Sequence, residues 1–191
     1  MHKFDPANIV LLMDQERRKE MDPLEFLKSN GLSPGMSIAD IGCGPGFFTF
    51  PAAEIVGKEG RVYAVDIQED MLKELKRRNL PENVSVFQSS ENNIPIEDEA
   101  CDMALLAFVL HEADERIVFL NELKRILRPQ GRLLLLDWEK KVEDKGPPFE
   151  ERIDIMEARR LLEKVGFEIE EKGNINPSHY KISARKGVRG S

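Results

Sequence analysis

Residues Ala39 to Phe50 read ADIGCGPGFFTF. Three glycines, Gly42, Gly44 and Gly46, fall within five residues of it. A short apolar stretch, SIADI at 37–41, precedes them, and an apolar segment of helical character, FFTFPAAEIV, follows. Glycine supplies the tight turn and positive φ that such a strand-to-helix corner needs, and it lets a ligand press close against the main chain. The stretch therefore reads as the first β–loop–α unit of a chain that goes on alternating.

The alternation persists along the chain. Gly57 can close the first helix in a left-handed cap, with Pro51 tolerable in its first turn. RVYAVD at 61–66 reads as a second strand, and a helix over about 68–79 opens with Glu69 and Asp70 and closes with Lys76, Arg77 and Arg78, as the helix dipole prefers. VSVFQ at 84–88 is a third strand, and CDMALLAF at 101–108, almost wholly apolar, a fourth buried on both faces. A helix over about 114–127 spaces Ile117, Leu120, Leu123 and Leu127 on one side, Pro129 and Gly131 end it, and RLLLLDW at 132–138 is a fifth strand. After GPPFEE a helix runs to Val165, and two strands follow at about 167–172 and 180–186. This order predicts an α/β, Rossmann-like doubly wound sheet of about seven strands. It is mostly parallel with the last strand antiparallel, and helices cover both faces.

The chain has 191 residues, the size of one ordinary domain, here residues 1–186 with a core at 34–138 and a C-terminal helix and strand pair at 139–186. Residues 1–33 read as short helices, broken by Pro6 and Pro23, that could lie over a site as a lid; the last residues, GVRGS, resemble a cloning remnant. The formal net charge of −7 repels phosphate backbones, so nucleic acid is disfavoured as a partner. The longest apolar run, MALLAFVL, is too short to span a bilayer, and MHKFDPANIV lacks the regions of a signal peptide, so a cytoplasmic protein is expected. The two cysteines, Cys43 and Cys101, form no metal or redox motif. Oligomeric state is not legible.

What the glycine loop holds can be narrowed. Asp66 ends the second strand 20 residues after Gly46, where a carboxylate can accept hydrogen bonds from a ribose diol. A dinucleotide, as in an NAD-dependent oxidoreductase, is opposed by three residues. Phe47 occupies the third small position of the G-x-G-x-x-G fingerprint, Pro45 lacks an N–H, and Asp40 would repel a diphosphate. A nucleoside with a positive centre and an ammonium group but no phosphate fits better, and S-adenosylmethionine is such a molecule.

ADIGCGPG resembles motif I of the class I S-adenosylmethionine-dependent methyltransferases, and VYAVDIQEDML their motif II. IPIEDEACDMALLAFVLHEADE and LKRILRPQGRLLLLDW resemble the segments around their fourth and fifth strands. The chain looks most like the small ubiquinone/menaquinone C-methyltransferase-like and arsenite-methyltransferase-like enzymes. The resemblance implies that Asp40 lies near the methionine amino group. Gly42, Cys43 and Gly44 would line the methionine and ribose, Asp66 would hold the ribose hydroxyls, and Ile67 would pack on adenine. It implies an adenine contact from Ser90, Glu91 or Asn92, where the family often has Asp, and Ala107 and Phe108 facing the methionine end. The implied product is S-adenosylhomocysteine. Each residue also has a plainer reading: Asp66 as a helix N-cap, Asp40 as the partner of a surface Lys or Arg, Cys43 and Cys101 as small packed residues.

Methyl transfer by in-line displacement asks mainly for alignment. A base is needed only for an acceptor protonated at neutral pH, and His111, past the fourth strand, is the candidate. It could equally open the next helix together with Glu112. Asp137 and Trp138 could line an acceptor pocket or pack the sheet end; His179 and Tyr180 read as structural. No (D/N)PP(Y/F) follows the fourth strand, which disfavours amino-group methylation, and two cysteines are few for arsenite chemistry. A small-molecule acceptor is expected. The rival reading is a protein that binds S-adenosylmethionine without catalysis.

Overall fold

The computed structural model describes residues 21–187. The lid expected over residues 1–33 thus falls largely outside the described residues, as does most of the tail. Helix α1 (Pro23–Ser29) starts on Asp22, whose carboxylate accepts the N–H groups of Leu24 and Glu25. There follow β1 (Ser37–Ile41), α2 (Thr49–Val56), β2 (Arg61–Asp66), α3 (Glu69–Lys76), β3 (Val84–Gln88), β4 (Cys101–Ala107), a 3-10 turn (Leu110–Glu112), α4 (Arg116–Ile126), β5 (Leu127–Trp138), α5 (Ile155–Lys164), β6 (Phe167–Asn176) and β7 (His179–Lys186). Among the described residues no helix is long and apolar enough to cross a membrane.

The strands form one seven-stranded sheet in the order β3-β2-β1-β4-β5-β7-β6. Strands β1 to β5 pair in parallel, and β7 runs antiparallel to both β5 and β6. The chain winds outward from β1 to β3 and returns to β4, so β1 and β4 flank the switch point, the place where an open α/β sheet leaves a crevice beyond its strand ends. Alternate side chains build two cores. Ala104, Leu106, Leu133 and Leu135 face α4 and α5, with Leu120, Leu123 and Leu162 packed on them. Met103, Leu105, Leu134 and Leu136 face α1 and α2, with Leu27, Ala52 and Val56. Strands buried on both faces in this way read as continuous apolar runs.

Several boundaries differ from the sequence reading. The break expected at Pro129 and Gly131 is not a loop between helix and strand. Pairing of β5 with β4 already begins at Leu127 opposite Cys101, then jumps to Arg132 opposite Met103, and residues 128–131 bulge out with Gln130 at φ 65°. A bulge accommodates Pro and the left-handed residue without ending the strand. The helix expected from 114 starts at Arg116, behind the separate 3-10 turn. Helix α3 stops at Lys76, α5 stops at Lys164, and β6 extends to Asn176. Strand β4 ends at Ala107, because Phe108 turns into the left-handed region at φ 61°.

Candidate functional site

The glycine loop leaves β1 with Gly42, Gly44 and Gly46 at φ 70°, 52° and 97°. Gly42 also lies against the end of β4: a Cβ there would sit 2.3 Å from Val109 Cγ2. The loop amides turn inward. Gly42 and Cys43 both donate to Val65 O, at 2.8 and 3.0 Å, and Gly46 donates to Cys43 O at 3.0 Å. Gly44 N donates to Asp66 Oδ2 at 2.9 Å. Pro45 has no N–H to offer. Phe47 is buried, its ring edge-on to Phe48 at 5.0 Å, filling the space a third small residue would leave.

Two carboxylates flank this loop. Asp40, at the end of β1, is 2% exposed and accepts the Thr49 hydroxyl at 2.6 Å. Asp66, at the end of β2, is 7% exposed; besides Gly44 it accepts Gln68 N at 2.8 Å, in an Asx turn ahead of α3, whose N-cap is Gln68. Cys43 lies between them. Burial and then the charges of Asp40 and Asp66 push its thiol well above the usual range, which rules it out as a ready nucleophile. Burial likewise pushes Cys101 up to about 12. A diphosphate would meet spent amides and two negative charges here. A phosphate-free nucleoside with a cationic end meets acceptors, so the residues present fit S-adenosylmethionine. Ile67, half-buried, follows Asp66 directly.

The loop after β3 is arranged otherwise. Ser90 is exposed and bridges to Asn93. Glu91 Oε1 accepts Glu115 N at 2.8 Å, and Asn92 Nδ2 donates to Glu115 Oε2 at 2.6 Å. Of the three expected adenine partners, two are thus tied to the start of α4.

At the ends of β4 and β5 the chain brings together residues that the sequence left apart. Phe108 N donates to Leu136 O at 2.7 Å while its φ of 61° redirects the side chain. Its ring lies 5.7 Å from Trp138 and 5.0 Å from His179, and those two rings are 4.4 Å apart and nearly perpendicular. Ala107, Phe108 and Trp138 are each half-buried, so this aromatic wall keeps an open side. His111 Nδ1 lies 2.7 Å from Asp137 Oδ1, one residue before Trp138 in β5. Asp137 also accepts the N–H groups of His111 (3.2 Å) and Trp138 (2.8 Å) and is 1% exposed. A carboxylate so placed fixes the proton on Nδ1 and leaves Nε2 as the base. Nε2 faces Glu112 Oε1 at 4.0 Å. Burial opposes protonation of His111. The hydrogen bond and charge of Asp137, with the charges of Glu112 and Glu151, outweigh it and raise the pKa above its ordinary value.

Three features escaped the sequence reading: Thr49 on Asp40, Asp137 as the partner of His111, and His179 as part of an aromatic wall. Only the second had a signal. Parallel neighbours β4 and β5 end side by side, Ala107 opposite Leu136, so the turn just past β4 meets the last residues of β5.

The comparisons with known proteins agree with this geometry. A family model described as a methyltransferase domain matches residues 39–135. The ubiquinone/menaquinone biosynthesis C-methyltransferase UbiE of Shewanella sp. (strain ANA-3) is 32% identical over 142 residues, 72% of this chain and 55% of that protein. The demethylmenaquinone methyltransferase of Staphylococcus aureus (strain MRSA252) is 30% identical over 138 residues, 71% and 55% of the two chains. The chain thus spans about half the length of the curated relatives it matches. A SAM dependent methyltransferase from Aquifex aeolicus superposes with a TM-score of 0.90 at 37% identity, covering 96% of this chain and 99% of that one. The inward-turned loop amides, the paired carboxylates and these matches lead to one conclusion: the chain belongs to the class I S-adenosylmethionine-dependent methyltransferases.

Proposed function

We propose that the chain methylates a small acceptor bearing a flat, hydroxylated aromatic ring, with residues 1–186 working as one methyltransferase domain. The observation that carries this reading is the half-open wall of Phe108, Trp138 and His179 beside Ala107. Aromatic side chains in tilted and edge-on contact offer a ring both dispersion and quadrupole complementarity. The names of the relatives, a ubiquinone/menaquinone biosynthesis C-methyltransferase and a demethylmenaquinone methyltransferase, support a ring-bearing acceptor.

When bound, S-adenosylmethionine supplies a methyl group already activated on a sulfonium. The chain's own residues do the rest. Asp66 holds the ribose diol, with its carboxylate oriented by Gly44 N and Gln68 N. Asp40, oriented by Thr49, faces the ammonium end. Gly42, Cys43 and Gly44 keep the floor flat, Ile67 and the stretch from Ser90 to Asn92 border the adenine, and Ala107 and Phe108 border the methyl end. The wall holds the acceptor in line, and alignment of this kind is worth up to ~7–11 kcal/mol. His111 Nε2 accepts the ring hydroxyl's proton as charge develops, Asp137 stabilises the imidazolium, and a base so placed contributes ~10²–10⁴ in rate.

The test is transfer of label from methyl-labelled S-adenosylmethionine to a panel of hydroxylated aromatics, thiols and amines. Label on aromatics alone is expected. Label on thiols or amines alone would overturn the acceptor class. S-adenosylhomocysteine binding without turnover on any acceptor would favour a binding protein.

A further inference from the structure

Between β5 and α5, residues 139–154 form neither helix nor strand, yet at their centre lies Arg152, 1% exposed. Its guanidinium donates to Pro147 O at 2.9 Å, Glu139 O at 3.1 Å, Glu143 Oε2 at 2.8 Å, and Lys145 O. Its Cζ lies 5.1 Å from the centre of the Trp138 ring. Glu143 in turn accepts the Ser178 hydroxyl at 2.6 Å and pairs with Lys141 Nζ at 2.9 Å, which ties the loop to the β6–β7 turn. Gly146, at φ 81°, presses on the same indole: a Cβ there would meet Trp138 Cε3 and Cζ3 at 2.8 Å. A buried charge is costly unless every donor is satisfied, and a planar fork that engages four acceptors while covering an indole is something arginine provides and lysine does not. The loop is thus moulded on Trp138, and Trp138 belongs to the wall with Phe108 and His179.

We propose that Arg152 is a positioning residue for the acceptor: its fork folds residues 139–147 over Trp138 and fixes the indole in the wall that receives the acceptor's ring. This rests on the flat-ring reading above. Trp138 is the single tryptophan of the chain, so its fluorescence reports this wall alone. The experiment compares wild type, Arg152→Met and Gly146→Ala. The second variant crowds the indole directly while Arg152 itself is kept, and keeps the test open where Arg152→Met fails to fold. Three readouts are taken: Trp138 emission, S-adenosylhomocysteine affinity by calorimetry, and 1-naphthol affinity with S-adenosylhomocysteine saturating.

In both variants the emission maximum shifts to the red, 1-naphthol binding weakens at least ~10-fold, and S-adenosylhomocysteine affinity stays within ~2-fold, since Arg152 and Gly146 act on the loop and the indole. Unchanged 1-naphthol affinity despite shifted emission would overturn the proposal and leave Arg152 a loop scaffold. So would a matching loss of both affinities. Wild type that binds S-adenosylhomocysteine but shows no saturable 1-naphthol binding would overturn the ring-receiving wall with the cofactor site intact. Failure to bind S-adenosylhomocysteine at all would overturn the site assignment itself.

Discussion

Replacing Asp137 with asparagine tests the His111 pair without changing shape. The carboxylate serves three donors: Oδ1 takes His111 Nδ1–H and Trp138 N–H, and Oδ2 takes His111 N–H. An amide has one acceptor end. With its oxygen at the Oδ1 place, its NH₂ opposes the buried His111 N–H. Flipped, it opposes Trp138 N–H and forces His111 into the tautomer protonated on Nε2, which is then no base. Either way a buried or part-buried donor is stranded, at a cost of up to about 1–3 kcal/mol. For a chain of this size that lowers Tm by roughly 2–12 °C. The cost depends on pH. The folded pKa of His111 lies above its ordinary 6.5, so the imidazolium–carboxylate contribution is complete below pH 6.5 and fades as pH rises through the folded pKa. The difference in Tm between wild type and Asp137→Asn is therefore larger at pH 6 than at pH 9. In NMR the His111 titration midpoint moves down in the variant, because burial is then less opposed. Equal Tm at pH 6 and an unmoved midpoint would refute the pair.

Gly42→Ala adds a Cβ 2.3 Å from Val109 Cγ2 at φ 70°; it should cost at least ~1–2 kcal/mol in urea unfolding from backbone strain alone and weaken S-adenosylhomocysteine binding in calorimetry. Leu105→Ala, at a fully buried position on β4, should cost about 2–5 kcal/mol by the same unfolding assay without changing cofactor affinity per folded molecule. Glu143 is held down to about 2 by the Ser178 hydroxyl, with Arg152 and Lys141 adding to it against the cost of burial. Its contribution to stability is therefore present above the ordinary carboxylate range and lost as pH falls from there toward 2. Thermal unfolding from pH 6 to pH 2.5 should show wild type losing more stability than Glu143→Gln.

Much of this was legible because it is local. The glycine spacing, the apolar strands and the dipole-matched ends of α3 are written in neighbouring residues, and Asp66 follows the loop at a fixed interval. What was not legible is what distant segments decide. The pairing of Leu127 with Cys101 makes a strand with a bulge out of what reads as a break at Pro129. His111 and Asp137 are 26 residues apart and meet only because β4 and β5 are neighbours. The ties of Glu91 and Asn92 to Glu115 likewise depend on a residue more than twenty positions away. Arg152 sits in an irregular stretch where no periodicity flags a buried residue, and its role emerges only from the four acceptors that the loop folds around it.

A phosphate-free sulfonium nucleoside is the ligand we assign to the inward-turned glycine loop closed by Asp66. Calorimetric titration with S-adenosylmethionine, S-adenosylhomocysteine and NAD, repeated on Asp66→Ala, tests it directly. Loss of a carboxylate that accepts from the ribose hydroxyls removes about 1.5–3 kcal/mol, a factor of roughly 10–150 in affinity. Saturable binding of both sulfur nucleosides is expected, weakened by that factor in the variant, and none of NAD. Binding of NAD alone, or sulfur-nucleoside binding indifferent to Asp66→Ala, would contradict that assignment.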